Sequence, residues 1–262
     1  MATAAPAIYA FPKISEVAEN LADHVVGIQN RVLSREGRRF RIGISGGSMI
    51  ANLERGLLSR QDVEWSKWDI FFADERLVPF ASDESNYGRF NREILGKLSA
   101  DHRPNVFHID ESLISDPSEA SDAYEKVLIK QFAAKETVRL PAFDLLLLGC
   151  APDGHIASLF PYHEALREKD AWVVPVEDAP VPPPNRITLT LPVISHSHWV
   201  SFVVEGATKA PIVKTIMERP DKGLPGSLVN EAAAGKVAWF VDEEALTGVF
   251  VQKKEYKLQA KR

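Results

Sequence analysis

One cysteine, Cys150, among 262 residues excludes an internal disulfide and a cysteine-based zinc site, and fits a reducing compartment. Positive charge is not in excess either. With a formal net charge of −5, neither a nucleic acid nor an anionic membrane surface is an expected partner, and an anionic ligand would have to be met by a local cluster of donors. No uninterrupted apolar stretch reaches membrane-spanning length, and the first residues, MATAAPAIYAFPK, hold neither a basic n-region nor an apolar core of signal-peptide length. A cytosolic location is therefore expected. No internal repeat and no clear linker interrupts the chain, and 45% hydrophobic with 26% charged residues suits one sizeable core, hence one domain over residues 1–262.

What is present is an alternation of strand-like and helix-like patterns. From Ser15 to about Gly37, Val17, Leu21, Val25, Ile28 and Val32 recur at helical spacing, with a serine cap ahead and a glycine stop behind. Strand-like runs follow at 40–44, 70–73, 143–148, 199–204 and 237–241, most of them separated by helix-length segments such as 85–98, 117–135 and 208–218. That order predicts an α/β fold with a largely parallel sheet covered on both faces. The proline-rich stretch at 175–185 reads as a surface loop, either a plain connector or a flank of the site. The basic tail from Lys253 to Arg262 reads as a solvated terminal helix or a frayed end.

Three segments carry chemistry. AFDLLLLGCAPDGHIASLFP at 142–161 is a continuous apolar run, as a strand buried on both faces requires, ending in a glycine turn that delivers Asp153 and His155 toward an expected helix N-terminus. There His155 suits proton transfer, or else Asp153 only caps the helix and His155 covers it. RIGISGGSMI at 41–50 pairs adjacent glycines with a following helix, which suits a phosphate. It is neither a Walker loop nor a GxGxxG fingerprint. GISGG does match the GxSxG elbow and would make Ser45 an acyl-enzyme nucleophile, but at most one strand precedes it, against the order of α/β-hydrolases. In FFADERLVPFASDESNYGRFN at 71–91, a strand ending in Asp74, Glu75 and Arg76 brings two carboxylates and a guanidinium to the same edge, as a surface ion-pair cluster or as an anion clamp. Arg186 and Lys209 are further anion ligands or solvated charges. His196 and His198 have same-face strand spacing, without the convergent carboxylates a metal site would want.

In combination, SGGS at 45–48, DERLVP at 74–79 with SNY at 85–87, PDGHIASLFP at 152–161, RITLTLPV at 186–193, EGATKA at 205–210 and LPGSLVNEAAAGKVAWFVD at 224–242 make most of the chain resemble the 6-phosphogluconolactonases of the pentose phosphate pathway. The closing segments look most like the fungal-type members. Two departures are Ala151, where that family commonly has glycine, and Ile156, where it commonly has threonine. The resemblance implies a three-layer α/β/α Rossmann-like domain of the glucosamine-6-phosphate deaminase type. It also implies cofactor-free, metal-free hydrolysis of 6-phospho-D-glucono-1,5-lactone, with His155 as proton acceptor, Asp153 as its orienter and Arg76 on the oxyanion or the phosphate. Ser45, Gly46, Gly47, Ser48, Asp74, Arg186 and Lys209 are the implied substrate-binding residues. The expected partner is thus a small sugar-phosphate lactone, bound by a monomer, with a homo-oligomer left open. Amino-sugar-phosphate deaminases share SGGS and AspGlyHis, and Ile156 is like theirs. They resemble this chain less at AspGluArg, where they carry AspGluTyr, and at SLFP, where they carry an Asn-Glu-Pro continuation. A non-catalytic sugar-phosphate sensor on the same fold is the other alternative, against which His155 and Asp153 argue.

Overall fold

The four leucines at 145–148 divide between two cores. Leu145 and Leu147 pack into one apolar cluster with Val17, Leu21, Ile50, Leu53 and Phe90, while Leu146 and Leu148 pack into another with Tyr124, Leu128, Val213 and Val229. Side chains of a strand alternate between faces, so an apolar run of this kind is stable only where both faces are covered. Each such leucine contributes about 1.5–3 kcal/mol through removal from water.

The structure, a computed structural model, describes residues 5–133 and 138–257. In chain order its elements are β1 (Ala7–Phe11), α1 (Ile14–Leu33), β2 (Phe40–Ile44), α2 (Ser48–Leu57), β3 (Trp68–Phe72), β4 (Asp74–Arg76), α3 (Asn86–Glu93), β5 (Asn105–Phe107), α4 (Pro117–Phe132), β6 (Leu145–Gly149), β7 (Val173–Val176), β8 (Arg186–Leu189), α5 (Leu191–His196), β9 (Val200–Val204), α6 (Ala210–Glu218), α7 (Pro225–Ala232) and β10 (Val237–Asp242), with short 3₁₀ turns between. Seven strands form an all-parallel sheet in the order β1-β10-β9-β6-β2-β3-β5. Helices α1, α2 and α3 supply the apolar residues of one face, and α4, α6 and α7 those of the other. The three-layer α/β/α reading of the sequence is the fold observed. Among the described residues, no helix is long and apolar enough to cross a membrane.

The strand order places the site. From β2 the chain winds outward one way through β3 and β5, and after β6 it winds the other way, so β2 and β6 flank the point of reversal. Loops leaving two such strands diverge and open a crevice at their carboxyl ends. The loops concerned are SerGlyGlySer after β2 and the AspGlyHis segment after β6.

Several local expectations need correction. Helix α1 begins at Ile14 with Lys13 as its N-cap and no side-chain cap; Ser15 lies in its first turn, and Gly37, with φ +70°, belongs to the turn into β2. No helix follows His155: the chain closes a tight turn with an isolated bridge between Ile156 and Leu159. A second, three-stranded antiparallel sheet, β4-β8-β7, escaped the sequence reading, and it takes Pro175 and Val176 out of the expected irregular segment. His196 ends α5, and His198 lies in the following turn, so the strand spacing that joined them does not exist. Ser85 does cap α3, accepting from Gly88 N–H at 3.0 Å. Residues 253–257 are not helical, while 258–262 and Lys135 lie outside the described residues.

Where β3 leaves the main sheet for β4, the edge is held by one phenol. Tyr124 Oη on α4 accepts the Phe72 N–H at 2.8 Å and donates to the Phe72 carbonyl at 3.1 Å, fully buried. Tyr124→Phe is predicted to destabilise the protein by about 1–3 kcal/mol, the cost of leaving a buried backbone donor unpaired. Urea denaturation would detect this, and an unchanged midpoint would show that the anchor carries no stability.

Candidate active site

A cleft of about 230 Å³ opens at the carboxyl ends of β2 and β6, lined by Ser45, Gly46, Gly47, Ser48, Asp74, Arg76, Gly149, Cys150, Ala151, His155, Ala157 and Lys209. Eight of the ten residues expected from the sequence meet there: Ser45, Gly46, Gly47, Ser48, Asp74, Arg76, His155 and Lys209. Asp153 stands behind His155, and Arg186 is buried below the floor.

The cradle is assembled by backbone bonds across the point of reversal. Ser45 N–H donates to the Leu147 carbonyl at 2.9 Å, and Gly149 N–H donates to Ser45 Oγ at 3.0 Å. Ser45 therefore ties the two loops together, and among the described residues no histidine hydrogen-bonds its hydroxyl, so the nucleophile-elbow reading lacks its base. Gly46 approaches Asn86 so closely that a Cβ would sit 1.7 Å from Asn86 Oδ1, and only glycine leaves room for that contact. Gly47 then caps α2, whose first N–H groups and positive end face the cleft.

His155 Nδ1 lies 2.7 Å from Asp153 Oδ1, and the same oxygen accepts the His155 backbone N–H at 3.2 Å. A carboxylate only accepts, so Nδ1 carries the proton and Nε2 is the basic nitrogen. The ring leans on Phe160, with centroids 4.4 Å apart. Burial holds the imidazole below its ordinary pKa, and this outweighs the opposite pull of Asp153, so the ring is neutral at pH 7. Ala151, the departure from the family pattern, is not among the residues with positive φ. It forms an ordinary turn, donating to the His155 carbonyl at 3.0 Å and accepting from Gly154 at 2.9 Å. Ala157, on the cleft wall, does adopt φ +49°, a conformation uncommon for a residue with a side chain.

On the opposite wall Arg76 is positioned by Glu84, whose carbonyl accepts from Nη1 at 3.0 Å. Its Nε is buried without a hydrogen-bond partner, with Asp74 Oδ2 at 3.8 Å. Asp74 is itself occupied, accepting from Ser158 Oγ at 2.8 Å. Lys209 forms no side-chain hydrogen bond or ion pair among the described residues, which leaves its ammonium available to a ligand. Arg186 is not available in that way: its guanidinium donates to the carbonyls of Val181, Pro182 and Pro183 at 2.7–3.1 Å and rests 5.3 Å from the Phe160 ring. The proline segment is thus Arg186's cradle rather than a plain connector.

Ser158 and Asn86 were not singled out from the sequence, and Glu75 was read there only as one carboxylate of the Asp74–Arg76 cluster. All lie inside the motifs quoted above, which is the one signal that marks them. Cys150 also lines the cleft, but burial pushes its thiol up to about 12, so it offers no thiolate. A larger cavity, about 410 Å³, opens at the amino-terminal end of the sheet among Tyr9, His24, Trp199 and Tyr256. It holds none of the ten candidate site residues and lies at the end where open α/β sheets do not bind their substrates. Among the described residues, no group of three or more His, Cys, Asp or Glu is placed to hold a metal ion.

The model of the family described as glucosamine-6-phosphate isomerases/6-phosphogluconolactonase matches residues 12–239. The 6-phosphogluconolactonase-like protein 1 of Saccharomyces cerevisiae is 53% identical, over 98% of this chain and 97% of its own length. The probable 6-phosphogluconolactonase of Schizosaccharomyces pombe is 42% identical, over 91% and 94%. Among solved structures, the 6-phosphogluconolactonase from Trypanosoma cruzi superposes with a TM-score of 0.80 at 25% identity, covering 95% of this chain and 99% of that one. Sequence, fold and site therefore agree that the chain belongs to the glucosamine-6-phosphate isomerase/6-phosphogluconolactonase family.

Proposed function

We propose that this protein hydrolyses 6-phospho-D-glucono-1,5-lactone to 6-phospho-D-gluconate. The observation that carries the reading is the His155–Asp153 pair, with a neutral imidazole facing a cleft whose other walls offer backbone N–H groups, Arg76 and Lys209 to an anion. His155 Nε2 takes a proton from water as its oxygen attacks the lactone carbonyl; Asp153 holds the tautomer and stabilises the imidazolium. The same nitrogen returns the proton to the ring oxygen as the C–O bond breaks. Arg76 offers charge to the developing oxyanion, and the Gly46–Ser48 turn with Lys209 grips the phosphate, whose binding energy positions the reacting carbonyl. This chemistry needs no cofactor, and in this reading the chain is one catalytic domain acting in the cytosol, as a monomer or as a homo-oligomer.

Two other readings rest on specific observations. The yeast relatives at 53% and 54% identity are named as 6-phosphogluconolactonase-like proteins, which keeps a ligand-binding, non-catalytic role in view; the intact His155–Asp153 pair speaks for catalysis. A deaminase would need a carboxylate in the loop after AspGlyHis. Here residues 158–160 are instead wholly buried, with Ser158 bonded to Asp74 and Leu159 and Phe160 in the core.

His155→Gln is expected to lower kcat by roughly 10²–10⁴, the range of a general base, with ligand affinity largely kept. Because burial holds the imidazole below its ordinary pKa, the acidic limb of kcat/KM should lie below pH 6.5. Asp153→Asn removes a group that raises that pKa and should move the limb lower still while reducing kcat. Near-normal turnover by His155→Gln would remove His155 from the mechanism.

For the anion grip, Lys209→Ala and Arg76→Ala are each expected to weaken 6-phosphogluconate binding by about 1.5–3 kcal/mol, the worth of a charged hydrogen bond. Unchanged affinity in both variants by calorimetry would place the phosphate elsewhere.

A further inference from the structure

Glu75 is a buried carboxylate that the mechanism above does not use. Its Oε1 accepts the backbone N–H groups of Arg76 at 2.8 Å and Asn86 at 2.7 Å; its Oε2 accepts Tyr87 N–H at 2.8 Å and the Ser85 hydroxyl at 3.4 Å. It therefore gathers the strand carrying Arg76 and the first turn of α3 around one charge. Asn86, the first residue of that helix, donates through Nδ2 to the Asp74 carbonyl at 2.8 Å, and its Oδ1 packs on Gly46, where no Cβ would fit. A chain of direct contacts thus runs from Glu75 through Asn86 to the cradle glycine.

We propose that Glu75 is a positioning residue for the anion cradle, its carboxylate holding Asn86 against Gly46 and Arg76 at the cleft wall so that a phosphorylated ligand meets a preformed site. This deepens the lactonase reading and rests on it for the identity of the natural ligand. The charges around Glu75 are few. Asp74 and Arg76 flank it on β4, Ile187 is its pairing partner on β8 with Arg186 beside it, the Tyr124 phenol faces it from α4, and α3 presents only N–H groups and the Ser85 hydroxyl. No cation forms a salt bridge with it among the described residues. Burial pushes its pKa up to about 7, against the downward pull of the three N–H donors. Oε1 meets donors only, so a proton on the carboxyl turns charge-assisted bonds into weaker ones or sets hydrogen against hydrogen. The ionised form is the one that orders the cradle, and phosphate affinity should rise as the pH passes upward through 7.

The test measures dissociation constants by calorimetry at pH 6 and pH 8 for wild type and Glu75→Gln, with 6-phosphogluconate and with inorganic phosphate. The variant-to-wild-type ratio cancels the ligand's own ionisation. We expect Glu75→Gln to bind about tenfold more weakly at pH 8 and about twofold more weakly at pH 6, since the wild type has then lost most of the same charge. In turnover the loss should fall on KM more than on kcat, which a general loss of structure would not produce. Asn86→Ala leaves the carboxylate and its N–H partners in place, and should bind about fivefold to tenfold more weakly than wild type at pH 8. This second variant decides the matter if Glu75→Gln does not fold. A pH-independent ratio, or wild-type affinity in Asn86→Ala at pH 8, would overturn the proposal. The expected ratios with phosphate but no binding of 6-phosphogluconate would uphold the positioning role and count against the lactonase reading. Binding of neither ligand by the wild type would overturn both.

Discussion

Everything at this site depends on the pairing of β2 with β6. The two strands are parallel neighbours at the reversal of the sheet, and Ser45 extends their ladder by one bond on each side, through its backbone to Leu147 and through its hydroxyl to Gly149. Without that closure the glycine turn and the AspGlyHis turn would leave the sheet independently. With it, a histidine more than a hundred residues away in sequence faces the glycine turn across one cleft.

The second constraint is the management of buried charge. Arg76 and Arg186 are directly opposed across β4 and β8, an arrangement that costs energy unless each guanidinium is satisfied. Arg186 is satisfied by three carbonyls of the proline segment, and Arg76 by Glu84 with Asp74 near by. Arg186 in turn lies beneath Phe160, against which His155 leans. A buried charge thus props the ring that supports His155. Burial depresses the His155 pKa and raises that of Glu75 by the same physical cause, loss of water around the charged form.

The layers of the fold were legible in the sequence because the central strands are covered on both faces: runs such as Leu145–Leu148 have few alternatives to a parallel sheet. The small antiparallel sheet was not. Its strands are three or four residues long, and AspGluArg and ArgIleThrLeu carry polar residues whose burial depends on partners far along the chain. Asp153 suggested a helix N-cap because an aspartate after a glycine turn commonly is one; here it serves His155, and the turn at Ala157 diverts the chain. Eight of the ten expected site residues line the cleft because the motifs sit at strand ends, where topology alone brings them together. Arg186 was misjudged since its partners are backbone carbonyls, which leave no mark in a sequence. The same holds for Glu75, whose partners are N–H groups.

The central claim is that this cleft delivers water to a lactone rather than opening an amino-sugar ring. Its most direct test is the initial rate of acid release from freshly generated 6-phosphogluconolactone, beside the rate of ammonia release from glucosamine 6-phosphate under the same conditions. The account predicts acid release well above spontaneous hydrolysis and no ammonia. Ammonia without lactone hydrolysis, or no turnover of either substrate, would contradict it.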